Sequence, residues 1–222
     1  MLSGEKLIIG IDEAGRGALA GPLVVASFLN NKKIPEFVKD SKILTEEKRE
    51  KIFKYFLNEN LSFGIGIINP SFIDKNGIVE SLKRGIELSI NFILNKESIL
   101  FDENFFSHYE IFNDYSLYFG EKILTNDFLI LIDGNTPFLE NYKIISIIDG
   151  DNRIPLISAA SIVAKVIRDK IMRKIGTIYK DYEFDINKGY GTQSHYEKIK
   201  ICGISNCHRK SFLKNLIIGG NR

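Results

Sequence analysis

Cysteine is scarce: the 222 residues include only two, Cys202 and Cys207. Two are too few to staple a chain of this size, and they point to a reducing compartment. Cys-x4-Cys-His with His195 nearby offers four candidate zinc ligands. The spacing matches no common zinc pattern, however, and free, partly buried thiols are expected instead. Prolines number five, and neither a biased tract nor an internal repeat occurs, which argues against disorder. No apolar run is long enough to span a bilayer, and the N-terminus lacks the charged, apolar and small-residue order of a signal segment. A cytoplasmic protein is expected. A dominant charge is missing too, since 30 Lys and Arg against 28 Asp and Glu leave a net charge of +2. Bulk electrostatics therefore do not announce a nucleic-acid binder, and any basic footprint has to be local. The tail is the candidate, with Lys198, Lys200, His208, Arg209, Lys210, Lys214 and Arg222 close together.

The apolar content is that of a folded protein, and the length suits one main domain with appendages. Runs rich in Ile, Val, Leu and Phe, bounded by Gly, Asn, Asp or Pro, predict five strands over 7–11, 23–29, 61–68, 128–132 and 144–148. Helical spacing predicts helices over 46–57, behind a Thr45 cap, and over 78–94 and 158–175. This mixture favours an α/β sheet with helices on its faces. Shorter helical stretches from Ser194 and from Cys207 would form a C-terminal appendage, dividing the chain into a catalytic unit over 1–192 and a helical extension over 193–222. The polar, aperiodic stretch from Lys96 to Asn126 is expected to be an irregular insertion. No dimer surface stands out, so a monomer is expected.

In an α/β sheet, ligands gather where strands end. Asp12 and Glu13 follow IIGI, Asp133 ends FLILID and Asp151 follows IISIIDG. A single acid at a strand end is usually a turn residue. As a group these acids are different, because several carboxylates at neighbouring strand ends repel one another unless a cation holds them. Asp12 abuts a continuous apolar strand, where an ionised side chain is costly unless paired or metal-bound. Oxygen-only ligands suit Mg²⁺ or Mn²⁺, which activate water and stabilise a leaving oxygen in phosphodiester cleavage. Successive strand side chains alternate in direction, so Asp12 and Glu13 share one site only if the strand ends or bends there.

Gly15-Arg16-Gly17 reads either as a tight turn or as bare backbone open to a ligand, with Arg16 adding charge. Residues 154–172, IPLISAASIVAKVIRDKIM, form a core helix in which Lys165 and Arg168, three apart, could meet phosphates. Lys188-Gly189-Tyr190-Gly191-Thr192 is either a surface turn or a ring placed to stack on a sugar or base. Asp40-Ser41-Lys42 adds a hydroxyl and a cation before a helix.

Taken together, DEAGRG, DSK, DGN, the Gly-Asp pair before SAASIVAKVIRD, KGYGT and HRKSF resemble the ribonuclease HII family, in that family's order, over roughly residues 7 to 213. The resemblance implies a ribonuclease H-like mixed five-stranded sheet flanked by helices, with a small C-terminal helical extension. It also implies an endonuclease that uses Mg²⁺ or Mn²⁺. Such an enzyme cuts the RNA strand of RNA/DNA hybrids and nicks on the 5′ side of ribonucleotides embedded in duplex DNA, leaving 3′-hydroxyl and 5′-phosphate ends. By matching motif, Asp12, Glu13, Asp133 and Asp151 would bind metal. The Gly15-Arg16-Gly17 backbone would sense the ribose 2′-hydroxyl, Tyr190 would stack on the next deoxy sugar, and Lys42, Lys165 and Arg168 would contact or support phosphates. Asp149 stands where the family usually has lysine, adding negative charge beside the site. Two other readings share some of these features: a DNA-directed nuclease of the same fold, and a non-enzymatic nucleic-acid binding module whose acids are turns.

Overall fold

The apolar run that opens the chain forms the strand on which everything else is arranged. In the computed structural model, which describes residues 7–38, 44–93, 99–100, 110, 113–119, 128–134 and 142–214, strand β1 spans Leu7–Ala14. It is flanked by β2, Leu23–Leu29, which is antiparallel to it, and by a parallel strand, Phe128–Asp133. The sheet also contains β3, Phe63–Ile68, β4, Ile99–Leu100, β5, Tyr115–Phe119, and the edge strand Ile144–Ile147. Numbering Phe128–Asp133 as β6 and Ile144–Ile147 as β7, the order is β4-β5-β3-β2-β1-β6-β7.

The five expected strands are thus present in a mixed sheet, and two more lengthen it at one side. Both come from the stretch expected to be irregular. A two-residue strand and a short one paired on β3 leave too little alternation to read from sequence. Apart from Glu110, Asn113 and Asp114, the rest of that stretch lies outside the described residues.

The period-two alternation sorts β1 cleanly. Ile9 and Ile11 enter one buried cluster with Leu82, Ile86 and Ile90 of helix α2, Pro70–Ile93. The opposite face is covered by α1, Glu46–Asn58, and by the long helix Pro155–Ile178. A four-residue helix, Gly150–Arg153, precedes the long one; the two are α3 and α4. Thr45 caps α1 by accepting the Lys48 N–H, and Glu46 and Glu47 complement the positive end of that helix. Helix α2 is kinked at Gly77, whose φ of 80° is not helical, and the segment after the kink is the one the spacing predicts.

Helix α4 lies very close to the sheet. A Cβ on Gly10 would stand 2.5 Å from the backbone carbonyl carbon of Leu156, so only glycine permits this approach. Proline at the first helical position starts α4 three residues before the apolar periodicity does. The chain ends with α5, Phe184–Asn187, and α6, Gln193–Cys202. The helix expected from Cys207 is instead a turn followed by a 3-10 segment, Lys210–Phe212. Ile199, Cys207 and Leu213 bury into the same cluster as α1 and α4.

Candidate active site

The strand register brings the acids together. Ile11 on β1 pairs with Ile132 on the parallel strand β6, so the next residue on each strand is an aspartate, Asp12 beside Asp133. Asp133 in turn pairs with Ile147 on β7, whose continuation turns through Asp149 into α3 and delivers Asp151. Asp12, Glu13, Asp133 and Asp151 all line one open cleft of about 460 Å³. The condition set by alternation, that the strand end at these two acids, is not met: β1 runs through both to Ala14. What ends is its neighbour β6, at Asp133. Beyond that point no strand among the described residues separates the two faces on that side, and Glu13 reaches the same cleft.

Charge is concentrated here. Burial, then the neighbouring Glu13 carboxylate, push the Asp12 carboxyl up to about 8. Burial also raises Glu13, with Asp133 adding to the effect and Arg16, 3.5 Å away, opposing it. The Glu13 N–H donates to Oδ1 of Asp12 at 2.8 Å, and the Gly150 N–H donates to Oδ1 of Asp133 at 2.6 Å. Ser161 on α4 also hydrogen-bonds Asp12. With one oxygen turned to the backbone, these carboxyls border the cleft rather than close on a point. Among the described residues, no three acidic, histidine or cysteine side chains already form an ion-holding cluster. The donor set is nonetheless all oxygen and mutually repulsive, which fits a hard divalent cation.

The cation side of the cleft comes from α4 and α1. Lys165 lines it and donates to Asp169 at 3.0 Å. Arg49 lines it too, with its guanidinium 4.0 Å from the other oxygen of Asp169 and donating to the Leu44 carbonyl. A buried Asp169 thus sits between two cations at the rim. Arg49, Asp169 and Ser161 were not singled out from the sequence. The i,i+4 spacing of Ser161, Lys165 and Asp169 on one helix face was the available signal for two of them, whereas Arg49 gave none beyond its place early in α1.

The remaining wall is the Gly15–Gly17 turn and Tyr190. Gly15 has φ of 91°, and a Cβ there would overlap the Arg168 guanidinium. A Cβ on Gly17, in contrast, would meet nothing within 4 Å, so packing places no demand for glycine there. Of the two roles expected of Arg168, contacting or supporting phosphates, its burial excludes direct contact. Its side chain is fully buried and donates to the carbonyls of Pro22, Lys188 and Ala20 at 3.1, 2.8 and 3.2 Å. The role it performs is support, with its guanidinium 4.9 Å from the centre of the Tyr190 ring. Arg209 is likewise buried and donates to Gly21, Gly15 and Arg16 carbonyls. Burial, with the Arg168 charge beside it, lowers Arg209 to about 9. Gly189 accepts from the Leu19 and Ala20 N–H groups, and Cys207 accepts from Gly21. Three loops, one near residue 20 and two flanking α6, are therefore bolted into one block.

His208 and Arg209 thus leave the expected basic surface, while Lys198 is paired with Glu183 at 3.2 Å. Asp149 is exposed, in the left-handed region at φ 54°, and does not line the cleft. Lys42, with Asp40 and Ser41, lies outside the described residues, as do Asn135 and Arg222. No helix among the described residues is long and apolar enough to cross a membrane.

A sequence profile of the Ribonuclease HII family matches residues 9–102 and 120–215. Ribonuclease HII of Pelagibacter ubique is 38% identical over 209 residues, covering 93% of this chain and 96% of the relative. Among solved structures, ribonuclease H2 from Pyrococcus horikoshii matches with a TM-score of 0.65 at 23% identity, over 97% of this chain and all of the other. Bst-RNase HIII in complex with Mn²⁺ matches with a TM-score of 0.62 at 17% identity, over all of this chain and 72% of the other.

Proposed function

The chain belongs to the ribonuclease HII family and is a ribonuclease H hydrolase; from that premise we propose that it nicks duplex DNA on the 5′ side of embedded ribonucleotides and cuts the RNA strand of RNA/DNA hybrids. The products carry 3′-hydroxyl and 5′-phosphate ends. The observation that carries this reading is that Asp12 and Asp133 each follow the last paired residues of adjoining parallel strands, Ile11 and Ile132, and line one cleft with the glycine turn and Tyr190. Asp12, Glu13, Asp133 and Asp151 hold Mg²⁺ or Mn²⁺. When bound, the metal supplies an activated water and stabilises the leaving oxygen, as in two-metal phosphodiester hydrolysis.

The protein's own groups do the rest. Ser161 and the Glu13 and Gly150 amides orient the carboxylates. The open space at Gly17 lets the backbone approach a ribose 2′-hydroxyl. Tyr190, supported by Arg168, stacks on the deoxy sugar that follows. Arg16, Lys165 and Arg49 meet the phosphates. Among the described residues, none that lines the cleft is histidine, which supports a metal-generated nucleophile over a side-chain base. Scarce cysteine fits a cytoplasmic site of action.

The test is incubation with Mg²⁺ or Mn²⁺ and a DNA duplex containing one ribonucleotide. A single nick 5′ of the ribonucleotide is expected, with all-DNA duplex left intact. Chelation abolishes the reaction, and Asp133→Asn lowers it by at least about a hundredfold while leaving duplex binding largely intact. Equal cutting of the all-DNA duplex would refute the reading.

A further inference from the structure

Beneath the Tyr190 loop lie two histidines that take no part in the cleft. His195, in the first turn of α6, and His208, in the turn before the last 3-10 segment, are 0% and 1% exposed. Their Nε2 atoms are 3.2 Å apart. Nδ1 of His195 is 2.9 Å from the carbonyl oxygen of Tyr190. The Ser205 N–H donates to Nδ1 of His208 at 2.9 Å, with the Ser205 hydroxyl beside it at 2.8 Å.

A carbonyl only accepts and an amide N–H only donates, so the two ends dictate every proton between them. His195 carries its proton on Nδ1 and donates to Tyr190. Its bare Nε2 accepts from the Nε2–H of His208, whose Nδ1 accepts from Ser205. The chain runs one way, from Ser205 to Tyr190, through two neutral imidazoles in opposite tautomers. The rings are walled in by Tyr182, 4.8 Å from His208 between centres, and by Phe184, 5.4 Å from His195. The link to the loop is double, because the His195 N–H also donates to the Thr192 hydroxyl. The Tyr190 carbonyl accepts the Thr192 N–H at 2.8 Å as well, so Thr192 closes the turn from within and His195 from beneath.

We propose that His195 and His208 are positioning residues for substrate recognition: their hydrogen-bonded pair fixes the Tyr190 carbonyl, and with it the ring that meets the sugar after the ribonucleotide. This rests on the reading of Tyr190 given above. Neither histidine touches substrate, so the effect passes entirely through Tyr190.

The experiment compares kcat/KM on two substrates: a DNA duplex with one ribonucleotide, in which a deoxy sugar follows, and a hybrid with a continuous RNA strand, in which none does. The ratio of the two rates isolates the Tyr190 contact. Tyr190→Ala lowers this ratio. His195→Gln, which has no donor at the Nδ1 position, lowers it by about tenfold, the scale of one buried hydrogen bond. His195→Asn, whose amide occupies that position, restores most of it. In a Tyr190→Ala background, His195→Gln has no further effect on the ratio. Wild-type imidazole ¹⁵N spectra place the proton of His195 on Nδ1 and that of His208 on Nε2.

Reversed tautomers would overturn the inference without any substitution. So would a His195→Gln effect equal on both substrates, or one that persists in full without the Tyr190 ring. A ratio unmoved by Tyr190→Ala would instead remove the stacking reading and this role with it. A ratio lowered by Tyr190→Ala but not by His195→Gln would remove only the role of the histidines.

Discussion

Arg168, Arg209 and His208 are fully buried yet polar, and each makes hydrogen bonds that hold a loop. Arg168 and Arg209 direct their guanidinium forks at six backbone carbonyls of the two loops that flank the cleft. Lysine, a point charge, could not satisfy such an array. His208 is the buried group with the plainest pH signature. Burial, with His195 beside it, lowers it from 6.5 to about 4. The folded state therefore favours the neutral ring: its contribution to stability is complete above pH 6.5 and is lost as pH falls through about 4. Thermal melts of wild type and His208→Gln, which keeps a donor toward His195 but does not titrate, check this. The wild type loses melting temperature more steeply than the variant between pH 6.5 and about 4; parallel curves would contradict it. None of these buried roles was legible beforehand. HRKSF reads as a basic tail, and only the fold shows that its first two residues point inward.

At the scale of elements, the sheet was legible where burial on both faces leaves continuous apolar runs, as in β2 and β3, all of whose residues are buried. It was illegible at the short strands of the far side, β4 and β5, where pairing rather than pattern makes the strand. The approach of α4 to β1 matters most for the site, because that helix carries Ser161, Lys165, Arg168 and Asp169. Gly10 permits the approach. Gly10→Ala drives a methyl into the Leu156 backbone and is expected to cost about 1–3 kcal/mol in a urea titration. Cleavage falls with it, since the helix has to withdraw from Asp12. Unchanged stability would mean that the helix is free to shift.

Across the whole molecule, the acids were legible as a set because each follows an apolar run, and the register explains why such distant residues meet. Their support was not legible, since Asp169, Arg49 and the buried arginines act through contacts that only the folded chain makes. Sheet ends supply the carboxylates, α1 and α4 supply cations, and the bolted loops supply the glycine turn and the ring. All of this converges on one expectation, that Asp12, Glu13, Asp133 and Asp151 serve a common divalent cation. Anomalous scattering from crystals of the wild-type enzyme grown with Mn²⁺ tests it most directly. The account predicts manganese in the cleft, with oxygens of Asp12 and Asp133 both at about 2–2.5 Å from one ion. Manganese bound elsewhere, with Asp12 and Asp133 ligating no shared ion, would contradict it.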